Sequence, residues 1–368
     1  MKLIDLNYHA SNEYSDPEKV IKDHWPSLGY ITTAKKSLDI EIIKHINYKG
    51  KVVTNNIEFS FFKSNNRFWY IPFRTHRYIK SQQPRVIIVQ GFVFPLQLIF
   101  LRFQLGNPCA ICLQHHGEQP FKGIKGMIQR FADRFVNAYS FAAIEMAAPW
   151  IDAGVISSIN KCYEIMGVST SFKKEEKEVA KRKTGISGSP AFLWVGRLND
   201  NKDPFTVLKA FEKYLLVNPH AMLYMIYQQN DLEKEVRSFV NESSLLISNV
   251  KLKGKIQHEE LSDWFNAADF YVSGSHREGS GYALIEAMAC GCVPIVTSIP
   301  SFKKITDEGN CGLLYEAGNT GALLDAFVRS QDLDLSWEIS KALKQFESNL
   351  SFEAYAKQVQ SIIDIVTE

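Results

Sequence analysis

Two glutamates, Glu278 and Glu286, stand eight residues apart around the run Gly279, Ser280, Gly281 and Tyr282. The residues before them, Asp269 to Ser273, read as a buried strand, and Tyr282 to Cys290 carries apolar residues at helical spacing. The glycines therefore fall where a strand turns into a helix. Such a turn suits an anion: unpaired backbone N–H groups and the positive end of the helix dipole face outward, and glycine lets backbone come close. Glu286 lies four residues after Tyr282 and shares its helix face, about one turn deeper. A carboxylate there would repel a phosphate but can accept two hydrogen bonds from the vicinal hydroxyls of a ribose. The alternative is that Glu278 caps the helix and Glu286 is a solvated helix residue.

A second constellation has the same form with opposite charge. The apolar run Ala191 to Val195 leads into Gly196, Arg197 and Leu198, then Lys202, Asp203 and Pro204. Asp203 before Pro204 signals a helix start, and Leu208, Phe211 and Leu215 give that helix its apolar stripe. Arg197 and Lys202 thus flank a strand-to-helix loop. In a doubly wound sheet such loops gather at the carboxyl ends of the strands, so two of them can converge on one diphosphate. Either cation alone would read as a surface residue.

The order Gly-Arg-Leu, Lys202-Asp203, then Glu278-Gly-Ser-Gly-Tyr282 and Glu286-Ala-Met-Ala-Cys-Gly291 resembles the donor half of the family-4 retaining glycosyltransferases. The likeness is strong over about residues 190 to 330 and weak before them. It implies the α/β GT-B fold: two Rossmann-like doubly wound domains facing across a cleft, with a C-terminal helix crossing back to the first domain. The implied layout is an acceptor-side domain over 1–172, a linker over 173–189, a nucleotide-sugar domain over 190–350 and the returning helix over 351–368. Lys173 to Ser189, polar and then rich in loop formers, supports the linker.

The resemblance also implies roles. Arg197, Lys202 and the amides of Gly279, Ser280, Gly281 and Tyr282 would hold the diphosphate, Glu286 the ribose, and the backbone at Lys255 and Ile256 the base. Glu278 would hold donor-sugar hydroxyls or stabilise the cationic sugar. In the first domain, Gly29 is the sole candidate for the family's glycine turn. His115 or His116 would contact the donor sugar, with His116 favoured because Gly117 follows it. The segment Ser298 to Ser301 replaces the family's usual glycine-rich loop. The implied reaction is transfer of a hexose-type sugar from a nucleotide-sugar donor to a glycan or lipid-linked acceptor, with retention, no metal and no further cofactor. A GT-B sugar phosphorylase, a nucleotide-sugar epimerase and a non-catalytic binding subunit are the alternatives.

The rest of the chain sets bounds. Its 368 residues, 45% hydrophobic, can fill two cores. Net charge is +2, but residues 1–172 hold 20 Lys and Arg against 13 Asp and Glu. Part of that excess lies in 63–85, where Arg67, Arg74, Arg77, Lys80 and Arg85 alternate with aromatics, a pattern suited to an anionic membrane surface or a phosphorylated acceptor, or simply to a strand and a solvated loop. The bias is too small for nucleic acid. Cys109 and Cys112 have a redox or zinc spacing but sit in an apolar run, which favours packing. Asp332 and Asp334 read as a helix cap rather than a metal pair. Residues 86–105 read as strand, turn and helix rather than a membrane span, and the polar N-terminus predicts a cytoplasmic protein.

Overall fold

The computed structural model describes residues 1–35, 38–106, 109–228 and 231–368. They form two compact units, Met1–Ser169 together with Phe352–Glu368, and Thr170–Ser351.

The first unit is built on an eight-stranded sheet. Its strands are β1 (Lys2–Ser11), β2 (Asp39–Ile46), β3 (Gly50–Thr54), β4 (Ile57–Phe62), β5 (Val86–Gln90), β6 (Ala110–Gln114), β7 (Ala138–Phe141) and β8 (Cys162–Glu164), in the spatial order β3-β4-β2-β1-β5-β6-β7-β8. All neighbours are parallel except the β3–β4 hairpin. Parallel strands covered on both faces read as unbroken apolar runs, and every residue of β5 and β6 is buried. Residues 86–105 do form a strand, a turn and the helix Pro95–Leu105, and no described helix is long and apolar enough to cross a membrane. Cys109 packs with Ile111 in one core cluster and Cys112 with Ala110 in another, so strand alternation sends the two thiols to opposite faces of the sheet. All six cysteines are free and buried, and burial pushes the Cys112 thiol up to about 12.

The helix Phe352–Thr367 is part of this unit: Tyr355 packs 4.3 Å from Tyr30, and Val359, Ile362 and Ile363 join the core beside β1. It also accounts for Gly29. That residue is not in an open turn after β1 but ends the short helix Trp25–Leu28, buried in ordinary right-handed backbone. A Cβ there would meet the Phe352 ring at 2.4 Å, so ring packing, not ligand approach, requires the glycine.

The second unit has six parallel strands, β9 (Ala191–Gly196), β10 (Met222–Tyr227), β11 (Val250–Gly254), β12 (Phe270–Ser273), β13 (Val293–Thr297) and β14 (Leu313–Tyr315), ordered β11-β10-β9-β12-β13-β14. Its core stacks Phe192 against Phe327 at 4.8 Å and Phe270 at 5.4 Å. The stretch 173–189 is no free linker. Its helix Lys177–Thr184 lies on the helix Leu261–Ala267, Lys177 pairs with Asp269, and Asn266 accepts a hydrogen bond from the Glu175 amide at 2.7 Å. Buried Ala180 and these polar ties dock a segment whose composition alone reads as solvated.

Candidate active site

The chain runs outward from β9 through β10 to β11, then jumps back to β12 and runs outward through β13 to β14. The reversal lies between β9 and β12, and ligands of open α/β sheets bind at the carboxyl ends of the strands that flank such a point. Both charged loops read from the sequence leave from there: 197–203 after β9 and 274–281 after β12.

The two loops are sewn together. Asn201 Nδ2 donates to the Arg277 carbonyl at 3.0 Å, the His276 amide to the Asn201 carbonyl at 2.8 Å, and His276 Nε2 lies 3.1 Å from Asp203 Oδ2. Lys202 Nζ is paired with Glu278 Oε1 in a half-buried contact. Gly274 makes this approach possible, because a Cβ there would sit 2.8 Å from the Asp203 carbonyl oxygen and 3.1 Å from that of Lys202. Asp203 adopts left-handed backbone at φ 42°, a cost of about 1 kcal/mol for a non-glycine residue, and caps the helix Pro204–Leu215 by accepting from the Thr206 amide at 3.1 Å. Arg197 is exposed on the same loop.

The helix Tyr282–Ala289 starts at Gly281, whose φ is 60° and whose absent Cβ leaves room for Ile305 and Phe302 at 2.8 and 2.9 Å. Among the described residues no side chain caps this helix start, so Glu278 is not its cap. The carbonyl of Glu278 instead accepts from Ser301 Oγ at 3.3 Å, which ties the 298–301 segment to this turn.

Glu286 points inward and is 2% exposed. His258 Nε2 lies 2.5 Å from Glu286 Oε1, and Tyr282 Oη lies 3.0 Å from the same nitrogen. Burial raises the Glu286 carboxyl above its ordinary range, an effect that the His258 and Tyr282 contacts only partly offset. The His258 ring is itself sandwiched, stacked on Phe172 at 5.1 Å and on Tyr282 at 5.7 Å. Lys255 and Ile256 follow β11 just ahead of it, Lys255 exposed and Ile256 half-buried. His258 and Phe172 escape the sequence reading, because each lies in a polar stretch with no periodic signal. The acidic pair Asp332 and Asp334 is a cap: Asp334 accepts from the Trp337 amide at 3.1 Å.

In the first unit the two histidines separate. His115 is a core residue, 3% exposed, with Nε2 3.1 Å from the Glu118 carbonyl oxygen and its ring against Phe92 and Phe141 at 5.3 and 5.0 Å. Burial lowers its pKa. Both ring nitrogens are met within the turn, Nδ1 by the Gly117 amide at 3.4 Å, so His115 packs in the core with no ring atom left for a sugar. His116 faces outward, its Nε2 2.7 Å from Gln90 Oε1 and its amide donating to Glu118 Oε2 at 2.7 Å. Gln90 Nε2 in turn donates to buried Asp5 at 2.9 Å. Beyond the carboxyl ends of β1, β4 and β5, a cavity of about 230 Å³ is lined by Tyr8, Arg67, Phe68, Phe94, Phe121 and Lys125 among others. The basic aromatic segment therefore contributes a cavity wall rather than only a solvated loop.

The pattern of the family described as glycosyl transferases group 1 matches residues 176–359. The GDP-mannose:cellobiosyl-diphosphopolyprenol alpha-mannosyltransferase of Xanthomonas oryzae is 30% identical over 134 residues, 36% of this chain and 35% of that protein. The alpha-monoglucosyldiacylglycerol synthase of Streptococcus pneumoniae is 26% identical over 193 residues, 51% of this chain and 42% of that one. These matches span about a third to two fifths of the relatives' own length. In fold, a glycosyltransferase structure from Rickettsia africae superposes with TM-score 0.73 at 14% identity, covering 100% of this chain and 98% of that one. The architecture is GT-B, with two Rossmann-like units.

Proposed function

This chain belongs to the glycosyl transferases group 1 family, and on that premise we propose that it transfers a hexose-type sugar from a nucleotide-sugar donor to a glycan or lipid-linked acceptor, with retention of anomeric configuration and without a metal. The observation that carries the proposal is the meeting of the 197–203 and 274–281 loops at the β9/β12 reversal, one side cationic and the other ending in an uncapped helix start.

As the bond from the sugar to the nucleoside diphosphate breaks, negative charge grows on the phosphate oxygens. Arg197, Lys202 and the amides of Gly281 and Tyr282 supply the opposite partial and full charges, which is the part a metal plays elsewhere. Glu286, with only one turn of helix between it and those amides, holds the ribose hydroxyls, and the backbone at Lys255 and Ile256 holds the base. Glu278, beside Lys202, holds donor-sugar hydroxyls or stabilises the cationic sugar. His116, held by Gln90, is proposed as a sugar contact. The acceptor is assigned to the cavity of the first unit. The names of the two relatives, one acting on a cellobiosyl-diphosphopolyprenol and one making a glucosyldiacylglycerol, favour a lipid-linked acceptor, and we propose that the protein works as a peripheral enzyme at the cytoplasmic side of a membrane.

Thermal unfolding with UDP, GDP, ADP and dTDP, each with and without magnesium, tests the donor site. A ligand at about 100 times its dissociation constant adds roughly 2.7 kcal/mol to the native state. Stabilisation by one diphosphate, equal in magnesium and in chelator, is expected. Stabilisation only with magnesium would overturn the metal-free mechanism, and none with any diphosphate would overturn the donor assignment.

A further inference from the structure

We infer that the first unit docks on an anionic lipid bilayer through the outer face of three helices, Phe73–Ser81, Pro95–Leu105 and Gly123–Ala132. This deepens the lipid-linked reading of the acceptor by naming the surface that meets the membrane.

The face carries large apolar side chains in water. Phe103 and Ile124 are each 70% exposed and Met127 is 65% exposed, with Phe73, Phe100 and Phe131 beside them. They form a connected set. The rings of Phe73 and Phe100 meet at 5.9 Å across two helices, while Phe103 and Phe131 both pack on Phe135, at 5.6 and 5.5 Å. Isolated apolar residues on a surface need no explanation, whereas a contiguous set spread over three packed helices marks an interaction site.

Charge decides the partner. Between Ser64 and Ala132 the chain holds nine Lys and Arg, of which Arg102 is buried and turned inward onto the Gly106 and Cys109 carbonyls, and one acid, Glu118, turned inward onto the Phe92 and His116 amides. Arg74, Arg77 and Lys80 are exposed on the first helix and Lys125 and Arg130 on the third, alongside the apolar side chains. A hydrated anionic polymer would be gripped by the cations and leave the phenylalanines in water. A bilayer takes both: the rings enter the boundary between headgroups and acyl chains while Lys and Arg meet the lipid phosphates. The helices are too short to span, so the protein lies on the surface. The same face borders the cavity. Lys125 lies 4.9 Å over the Phe68 ring, and both line it, so an acceptor with its tail in the bilayer could present its head there.

The test is co-sedimentation of the full chain with vesicles of phosphatidylcholine alone and of phosphatidylcholine with phosphatidylglycerol, at low and high salt. Pelleting with the anionic vesicles, weakened by salt, is expected. Arg74→Glu with Arg77→Glu should reduce the vesicle partition coefficient about thirtyfold or more, as should Phe103→Ser with Ile124→Ser. Unfolding temperature serves as the folding control, and if one pair fails to fold the other still decides. Failure of wild type to pellet, or undiminished pelleting of a folded pair, would overturn the proposal. So would a dimer on size exclusion that Phe103→Ser with Ile124→Ser dissolves, since that outcome would give the face to a second copy. Pelleting reads docking without turnover, so its failure leaves the transferase reading standing, and an inactive donor site leaves docking standing.

Discussion

Replacing Glu278 by Gln separates two roles that the ion pair with Lys202 ties together. Lys202 is engaged by Glu278, with side-chain exposures of 21% and 16%. A diphosphate that takes Lys202 must draw it from that carboxylate. A charge-assisted hydrogen bond contributes about 1.5 to 3 kcal/mol, and partial solvent screening reduces what competition costs to about 1 kcal/mol. Glu278→Gln should therefore tighten nucleoside diphosphate binding about fivefold while turnover falls, because the sugar loses its carboxylate. Lys202→Ala should weaken the same binding by about 1.5 to 3 kcal/mol. The decisive comparison is the double-mutant cycle, measured by calorimetry with the diphosphate that stabilises the protein. Part of the gain from Glu278→Gln is simple relief of repulsion and survives in the Lys202→Ala background; the competition part does not. Equal gains in the two backgrounds, or weaker binding in Glu278→Gln, would refute competition for Lys202.

Three further outcomes follow from the geometry. Glu286→Ala should weaken diphosphate and nucleoside binding alike by about 1.5 to 3 kcal/mol, since the ribose is common to both; unchanged nucleoside affinity would sink the ribose assignment. Gly274→Ala sets a methyl against two fixed carbonyl oxygens, so it should cost about 1 to 3 kcal/mol in stability and weaken diphosphate binding; wild-type values for both would show that the loops need no such approach. The third concerns pH. Burial raises Asp5 from 3.8 to about 6, so the folded chain holds that proton more tightly than the unfolded chain. Its contribution is then most favourable below the lower value and is lost as pH rises through 6, by up to about 3 kcal/mol. In Asp5→Asn the amide oxygen can still accept from Tyr30 and Gln90. Lys44, lowered to about 8 by its own burial, stays charged across this window and shifts the level of the curve rather than its slope. The difference in urea midpoint between wild type and Asp5→Asn should change between pH 4 and 6; parallel curves would contradict the assignment.

The amino-acid sequence by itself determined whatever is settled within a few turns of chain. The strand, glycine turn and helix around Glu278 and Glu286 are readable from apolar spacing. So are the caps at Asp203 and Asp334, where a short acid precedes a helix and accepts from an amide three residues on. Strand alternation places Cys109 and Cys112 on opposite faces once their run is known to be extended. Other pairings have no local signal. Lys202 meets Glu278 across 76 residues and His258 meets Glu286 across 28, because the order β11-β10-β9-β12 returns the chain to the middle of its sheet. His115 and His116 are adjacent and chemically alike, and only the Phe92 and Phe141 rings decide that the first fills the core while the second turns out toward Gln90. Gly29 reads as a ligand turn until the Phe352 ring, more than three hundred residues later, is seen to fill the space its side chain would take. The cationic apolar face likewise exists only once three separate helices are packed side by side. Backbone periodicity is felt over one or two turns, whereas proximity between distant segments is set by which strands pair, and that is a property of the folded chain as a whole.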